Sequence, residues 1–256
     1  MTDICIIGSG NVARAFARRI TAVGQLHLVA VAARNERSGL LLAEETHCVW
    51  SWPEIPDAEL YIVAVKDDAI NSVCSSLHFA ENATIVHTSG CVPVDEIGHK
   101  NAGVIYPLQS FAAGADVNWN AVPLFIEWTS QQARKTVEHV SPLLSPNVRR
   151  LDSASRARLH LAGVIANNFP NLMYAAAERM MNDAGLDFGL LLPMIQSSAF
   201  KLTAGMSPAE IQSGPAVRGD ISTQNRHLAL LHEAYPEYEK TYKILSRLIW
   251  ETLRKM

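Results

Sequence analysis

Apolar and polar positions along this chain change their period near residue 150. Before that point, short β-rich apolar runs alternate with amphipathic stretches. Strands are predicted at 3–7, 27–33, 60–65, 83–87 and 103–106, with another near 123–128 and a short one near 47–50. Helices fill 11–23, 36–45, 68–77 and 130–144. Strand and helix in alternation make the pattern of a parallel α/β sheet. Residues 61–65 and 84–87 are unbroken β-rich runs, as expected for strands covered on both faces.

Beyond residue 150 the strand signals stop. Residues 153–184 carry Leu161, Ile165, Phe169, Leu172 and Ala176 at helical spacing. Pro170 must kink this helix, because it lacks an N–H and crowds the preceding turn. A second helix is predicted at 187–204. Ser207-Pro208-Ala209-Glu210 reads as a capping box with proline at the first helical position. Helices at 220–233 and 236–255 complete the set, the last with Tyr238, Tyr242, Leu245, Ile249 and Leu253 as an apolar stripe. The expected architecture is α/β: a Rossmann-type parallel sheet over 1–150, followed by an all-helical domain over 151–256. Leu159, Leu161, Val164, Ile165, Phe169, Leu172, Met173, Met180 and Met181 put apolar residues on more than one helical face. Such helices are buried on several sides, within one subunit or against a second copy, so a homodimer through this domain is expected.

The turn after the first strand is Gly8-Ser9-Gly10-Asn11-Val12-Ala13. Gly8 suits a sharp reversal with positive φ. Gly10 lets the backbone approach a phosphate, and Ala13, in place of a third glycine, allows close helix–strand packing. The helix that follows aims free N–H groups and a partial positive charge at that phosphate. A strand–glycine turn–helix–strand unit of this length is the layout of a dinucleotide site. The second strand ends at Arg34-Asn35-Glu36-Arg37-Ser38, without the acid that holds a ribose 2′-hydroxyl in NAD-binding domains. Arg34 can pair with a 2′-phosphate through its planar fork, with Asn35, Arg37 and Ser38 adding to it. The expectation is NADP(H), Glu36 being a contrary sign and solvated loop arginines the alternative.

Ligands in open α/β sheets lie across the carboxyl ends of the strands. Three more segments fall there. Val65 and Lys66 can flank the nicotinamide ribose, while Asp67 or Asp68 caps the next helix or faces the ligand. Thr88, Ser89 and Gly90 suit a nicotinamide or substrate site, or form a tight polar turn. The segment from Tyr106 to Phe111, with Gln109 as a substrate candidate, lines the cleft or is a packed turn.

Net charge is −3, from 22 basic and 25 acidic residues, which suggests no nucleic-acid surface. Four cysteines without CxxC spacing read as reduced intracellular thiols, and no metal site is expected. Asp3 at the start argues against a signal peptide, and no run of 18 apolar residues suggests a membrane span. A cytoplasmic location follows as an expectation.

The glycine turn, Ala64-Val65-Lys66 after a strand, and the strand leading to Thr88-Ser89-Gly90 resemble pyrroline-5-carboxylate reductase and its relatives. That group includes deazaflavin-dependent NADP reductases and, more distantly, 6-phosphogluconate and 3-hydroxyacid dehydrogenases. Tyr106-Pro107-Leu108-Gln109-Ser110-Phe111, Ala166-Asn167-Asn168-Phe169 and Gly214-Pro215-Ala216-Val217-Arg218-Gly219-Asp220 are similar to a bacterial family described as NADP oxidoreductases. Its members have a Rossmann-like domain and a C-terminal domain of unknown function. The resemblance spans nearly the whole chain and implies fold and cofactor class, but hardly a substrate. It also marks a departure. The hydroxyacid dehydrogenases use a lysine on the first long helix of the second domain, and no lysine stands between 151 and 200 here.

His160 is the candidate general acid on that helix, with a packed histidine as the alternative. Asn168, on the apolar face with Ile165 and Leu172, contacts a ligand, another helix or a carbonyl freed by Pro170. Arg218 binds an anionic substrate or bridges to an acid. Asp220 caps the next helix, and His227 shares its face as a further substrate candidate. The expected activity is hydride transfer between NADP(H) and a small imine, carbonyl or deazaflavin-like acceptor held between the domains. The alternative is a dinucleotide-binding sensor or scaffold with little turnover.

Overall fold

Alternating side chains of the first strand decide the layering. β1 (Thr2–Ile7) sends Ile4 and Ile6 into one apolar cluster and Cys5 and Ile7 into another, the period-two consequence of a pleated strand. α1 (Asn11–Thr21) lays Ala13, Phe16 and Ile20 on the first cluster. β2 (Leu26–Ala32), α2 (Glu36–Thr46), β3 (Val49–Ser51) and β4 (Leu60–Val63) follow. A 3₁₀ turn over Asp67–Ala69 leads into α3 (Ile70–Ser76), which covers the second cluster with Ile70 and Cys74. Next come β5 (Thr84–His87), β6 (Ala102–Pro107), β7 (Leu124–Trp128), α4 (Gln131–Leu144) and β8 (Val148–Arg150). α4 returns to the first cluster with Val137, Val140 and Leu144.

The eight strands form one sheet in the order β3-β2-β1-β4-β5-β6-β7-β8. The chain reverses its winding between β1 and β4, so a crevice opens beyond their carboxyl ends. The sheet departs from the expected all-parallel form at one place. β7 runs antiparallel to β6, with Tyr106 opposite Phe125. No crossover helix joins these two strands, whereas β7 reaches β8 through α4 and pairs with it in parallel. β8 itself carries too short an apolar pattern to be expected.

The computed structural model describes residues 1–253. Contacts divide the chain into Met1–Asn171 and a second unit from Leu172, rather than at residue 150. α5 (Ser153–Gly163) therefore goes with the sheet. The predicted long helix over 153–184 is three pieces: α5, a π-helical turn over Val164–Asn168, and α6 (Phe169–Asp183). In the π turn the Phe169 N–H donates to the Val164 carbonyl, five residues back. The wider turn comes immediately before Pro170 and is how the helix accommodates that residue.

The second unit contains the rest of α6, α7 (Leu192–Thr203), α8 (Pro208–Ile211), α9 (Pro215–Arg218), α10 (Ile221–Ala234) and α11 (Pro236–Leu253). Positions 254 and 255 of the last predicted helix, and the Leu253 side chain, lie outside the described residues. The capping box opens α8, Ser207 accepting from the Glu210 N–H while Glu210 accepts from the Ser207 N–H. Asp220 caps α10 through the Thr223 N–H at 3.0 Å. No helix among the described residues is long and apolar enough to cross a membrane.

Candidate functional site

Gly8 closes β1 with φ of 122°, and its N–H donates to the Ala32 carbonyl at 2.8 Å. A Cβ here would stand 2.3 Å from the Ala64 carbonyl oxygen, so both backbone and space require glycine. Gly10 is the N-cap of α1 and has no side chain to offer the helix. A Cβ on Gly10 would meet nothing within 4 Å. The first turn of α1 contains no acidic residue. An open, uncapped helix start with free N–H groups fits a phosphate, which would satisfy those donors and the helix dipole together.

This turn opens onto a cavity of about 970 Å³ in the first unit, across the carboxyl ends of the strands. Gly8, Ser9, Gly10, Asn11 and Val12 line its middle. Arg34 and Asn35 line it at the end of β2. Arg34 is exposed and makes no ion pair among the described residues. Asn35 caps α2, its Oδ1 accepting from the Ser38 N–H at 3.0 Å. The Ser38 and Ser9 hydroxyls meet at 2.7 Å and join this loop to the glycine turn. The Trp50 indole donates to the Ala33 carbonyl at 3.1 Å, over Gly39, where a Cβ would collide with the ring at 2.4 Å. The backbone on either side of Arg34 is thus held, while the guanidinium is left available. These residues fit a 2′-phosphate: an available cation, hydroxyls and no carboxylate at the strand end.

Val65, Lys66 and Asp67 line the cavity after β4. Among the described residues Lys66 makes no ion pair, and neither Asp67 nor Asp68 makes a capping hydrogen bond. The 3₁₀ turn starts from Lys66, which leaves both carboxylates exposed.

Thr88, Ser89 and Gly90 line the cavity after β5, and a buried network holds them. The Ser89 N–H donates to His87 Nδ1 at 3.1 Å, and Ser89 Oγ accepts from the N–H groups of Cys91 and Val92, both at 3.0 Å. Burial, then the nearby Arg156 charge, pushes the His87 imidazole down to about 4, so it is neutral at physiological pH. Arg156 on α5 is fully buried. Its Nε donates to the Ser89 carbonyl at 3.2 Å, and its Nη atoms reach the Val92 carbonyl, Ser153 Oγ and the Glu127 carboxylate of β7. Glu127 also accepts from the Ser153 N–H and hydroxyl. One guanidinium therefore fixes the loop after β5, the start of α5 and the edge of β7.

One turn beyond Arg156, His160 lines the same cavity with Tyr106 and Gln109. His160 Nδ1 lies 3.0 Å from the Tyr106 hydroxyl. A Cβ on Gly90 would fall 2.5 Å from the His160 ring, so glycine at 90 makes the room the imidazole occupies.

Of three further candidates named by sequence, Asn168 does not line this cavity, and Arg218 and His227 belong to the second unit. Asn168 is on the π turn, exposed and without a side-chain hydrogen bond among the described residues. Arg218 ends α9, exposed and without an ion pair among the described residues. His227 bonds Tyr242 of α11 through Nδ1 at 2.8 Å, an internal contact of the second unit. Conversely, sequence reading gives no role to Trp52, which lines the cavity after β3, or to Arg156. The alternation Trp50-Ser51-Trp52 is the available signal for the first. An arginine one helical turn before His160 is the signal for the second.

Comparison with known proteins agrees with this geometry. Residues 3–89 match the model of the "NADP oxidoreductase coenzyme F420-dependent" family, and residues 122–249 match a domain of unknown function, DUF2520. A search of curated proteins gives no match. Among solved structures, a Bacteroides fragilis protein provisionally named an NADP oxidoreductase is 34% identical over 98% of both chains, with a TM-score of 0.89. Pyrroline-5-carboxylate reductase of Streptococcus pyogenes shares the fold at 13% identity and a TM-score of 0.63, over 100% of this chain and 99% of that one. A reductive aminase of Aspergillus terreus, solved with NADPH and ethyl levulinate, does so at 16% and 0.66, over 100% and 94%. A glycine-turn cavity on a sheet of this order, matched over both halves, makes the chain a member of the oxidoreductase family that joins an F420-type NADP oxidoreductase domain to a DUF2520 domain.

Proposed function

We propose that the protein is an NADP(H)-dependent reductase acting on a small carbonyl, imine or deazaflavin-like acceptor. The observation that carries this reading is one cavity with a phosphate-suited turn and the available Arg34 toward one end, and His160 with Tyr106 toward the other. Gly8 to Val12 would hold the pyrophosphate, Arg34 with Ser38 the 2′-phosphate, and Thr88 to Gly90 the nicotinamide end. A bound nicotinamide supplies the redox chemistry. The protein's own part is to orient it and to hold a proton at His160 beside it. The names of the B. fragilis relative and of the NADPH-bound aminase support the cofactor choice. A second copy of the chain is the proposed partner, because the second unit leaves Phe200, Leu190 and Met194 uncovered.

Thermal stabilisation by NADPH and by NADH, followed by loss of nicotinamide absorbance with imines, keto acids and deazaflavins, tests the reading. NADPH should stabilise more strongly, and one acceptor class should turn over. Stabilisation without turnover would favour a dinucleotide-binding sensor, and no stabilisation by either cofactor would overturn both readings. Arg34→Asp should weaken NADPH binding about tenfold to a hundredfold, as expected for a lost charge-assisted bond to phosphate. An unchanged preference would remove Arg34 from the site.

A further inference from the structure

The Tyr106 hydroxyl and His160 Nδ1, 3.0 Å apart, are each other's hydrogen-bond partners. Among the described residues neither side chain has another, so His160 Nε2 has no protein partner in the cavity it lines. Tyr106 is only 7% exposed, and burial pushes its phenol up to about 12, so it keeps its hydrogen. That hydrogen needs an acceptor, because a buried donor left without one is unfavourable. Nδ1 is the acceptor within reach. It can accept only while the neutral ring carries its proton on Nε2.

The ring has little freedom to choose otherwise. It stands edge-on to Tyr106, with centroids 5.9 Å apart at 73°, and its other side abuts Gly90. Tyr106 is in turn packed on Phe125 of β7 at 6.4 Å. Arg156 anchors α5 one turn before His160.

We propose that Tyr106 is a positioning residue that holds neutral His160 as the Nε2–H tautomer, so that the cavity presents a hydrogen-bond donor to its substrate. The reacting heteroatom of that substrate must then carry a lone pair, as a carbonyl oxygen or a neutral imine nitrogen does and a protonated iminium does not. This deepens the reductase reading and rests on it for the substrate class. The tautomer itself is a property of the protein without cofactor.

The test is ¹⁵N NMR of protein labelled at histidine, free of cofactor and in alkaline buffer where the imidazole is neutral. His160→Gln identifies the His160 signals by their loss. The wild type should show a protonated Nε2 and an unprotonated Nδ1. Tyr106→Phe, which keeps the ring packing, should populate the Nδ1–H form. A wild-type Nδ1–H tautomer, or the same populations in both proteins, would overturn the proposal. Should Tyr106→Phe fail to fold, the wild-type spectrum still decides: a free neutral imidazole populates both tautomers, so an undetectable Nδ1–H form supports the proposal and a free-histidine mixture overturns it. Failure of the reductase reading is seen separately, as absence of NADPH stabilisation with the tautomer intact.

Discussion

In the first unit Phe16, Ile62 and Val86 are closed off from water, while in the second Phe200, Leu190 and Met194 are 71%, 66% and 64% exposed. Among the described residues of the second unit, Ala176, Ala216 and Leu231 are the buried apolar ones. Both regions carry clear apolar periodicity, so pattern alone does not explain the contrast. A sheet with helices on both faces finds partners for every strand within the same chain. The helices of the second unit carry apolar residues on several faces and leave many of them exposed. The two units therefore differ in what holds them: the first has its own core and buried polar network, while the second leaves large apolar side chains exposed.

The largest expected effect sharpens the first half of that comparison. Arg156→Met removes one partner of a buried ion pair, leaving Glu127 without its countercharge and the Ser89 and Val92 carbonyls without this donor, at a cost of about 3–5 kcal/mol. Chemical unfolding measures it, and a change below about 1 kcal/mol would show that the network is dispensable.

His87 gives the next effect. Its folded pKa is lowered from 6.5 to about 4, so the unfolded chain binds more protons between those values and stability rises with pH there. Acidification from pH 6.5 to 4 should thus remove roughly 3 kcal/mol through this group. Melting curves across the range, with His87→Gln as the reference, read it as a difference in slope. Equal slopes would mean the buried imidazole does not titrate as stated.

The smallest effect on the chain alone, and the sharpest for the contrast, comes from the second unit. Phe200→Glu should change the stability of an isolated chain by no more than about 0.5 kcal/mol, because the ring is already exposed. A dimer formed through this face should instead dissociate at concentrations where the wild type stays paired, as sedimentation would show. Several kcal/mol lost with no change of mass would mean that the second unit is self-sufficient after all.

The candidate site was legible in the sequence wherever a backbone requirement selects a residue type. Gly8 needs positive φ, Gly10 an empty approach, and Gly90 room for an imidazole; the first two are visible as a turn motif. The loop after β2 was legible by what it lacks, a carboxylate. Arg156 was not legible, since an arginine on an amphipathic helix normally reads as a solvated charge and its hydrogen-bond partners come from the loop after β5, from β7 and from α5. Asn168, exposed on the π turn, does not line the cavity for the converse reason: helical spacing names a face, not what lies opposite it.

Local rules of the chain were enough for the alternation of β-rich and helical segments, the glycine turn, the capping box at Ser207 and the Asp220 cap, because each is satisfied within a few residues. The antiparallel pairing of β7 with β6, the attachment of α5 to the sheet, the burial of Arg156 and the pairing of Tyr106 with His160 depend on groups far apart in the chain. The separation is 54 residues for Tyr106 and His160 and 67 for Arg156 and Ser89. Contacts of that range form only when the sheet has closed, and no periodicity along the sequence records which side chains it will bring together.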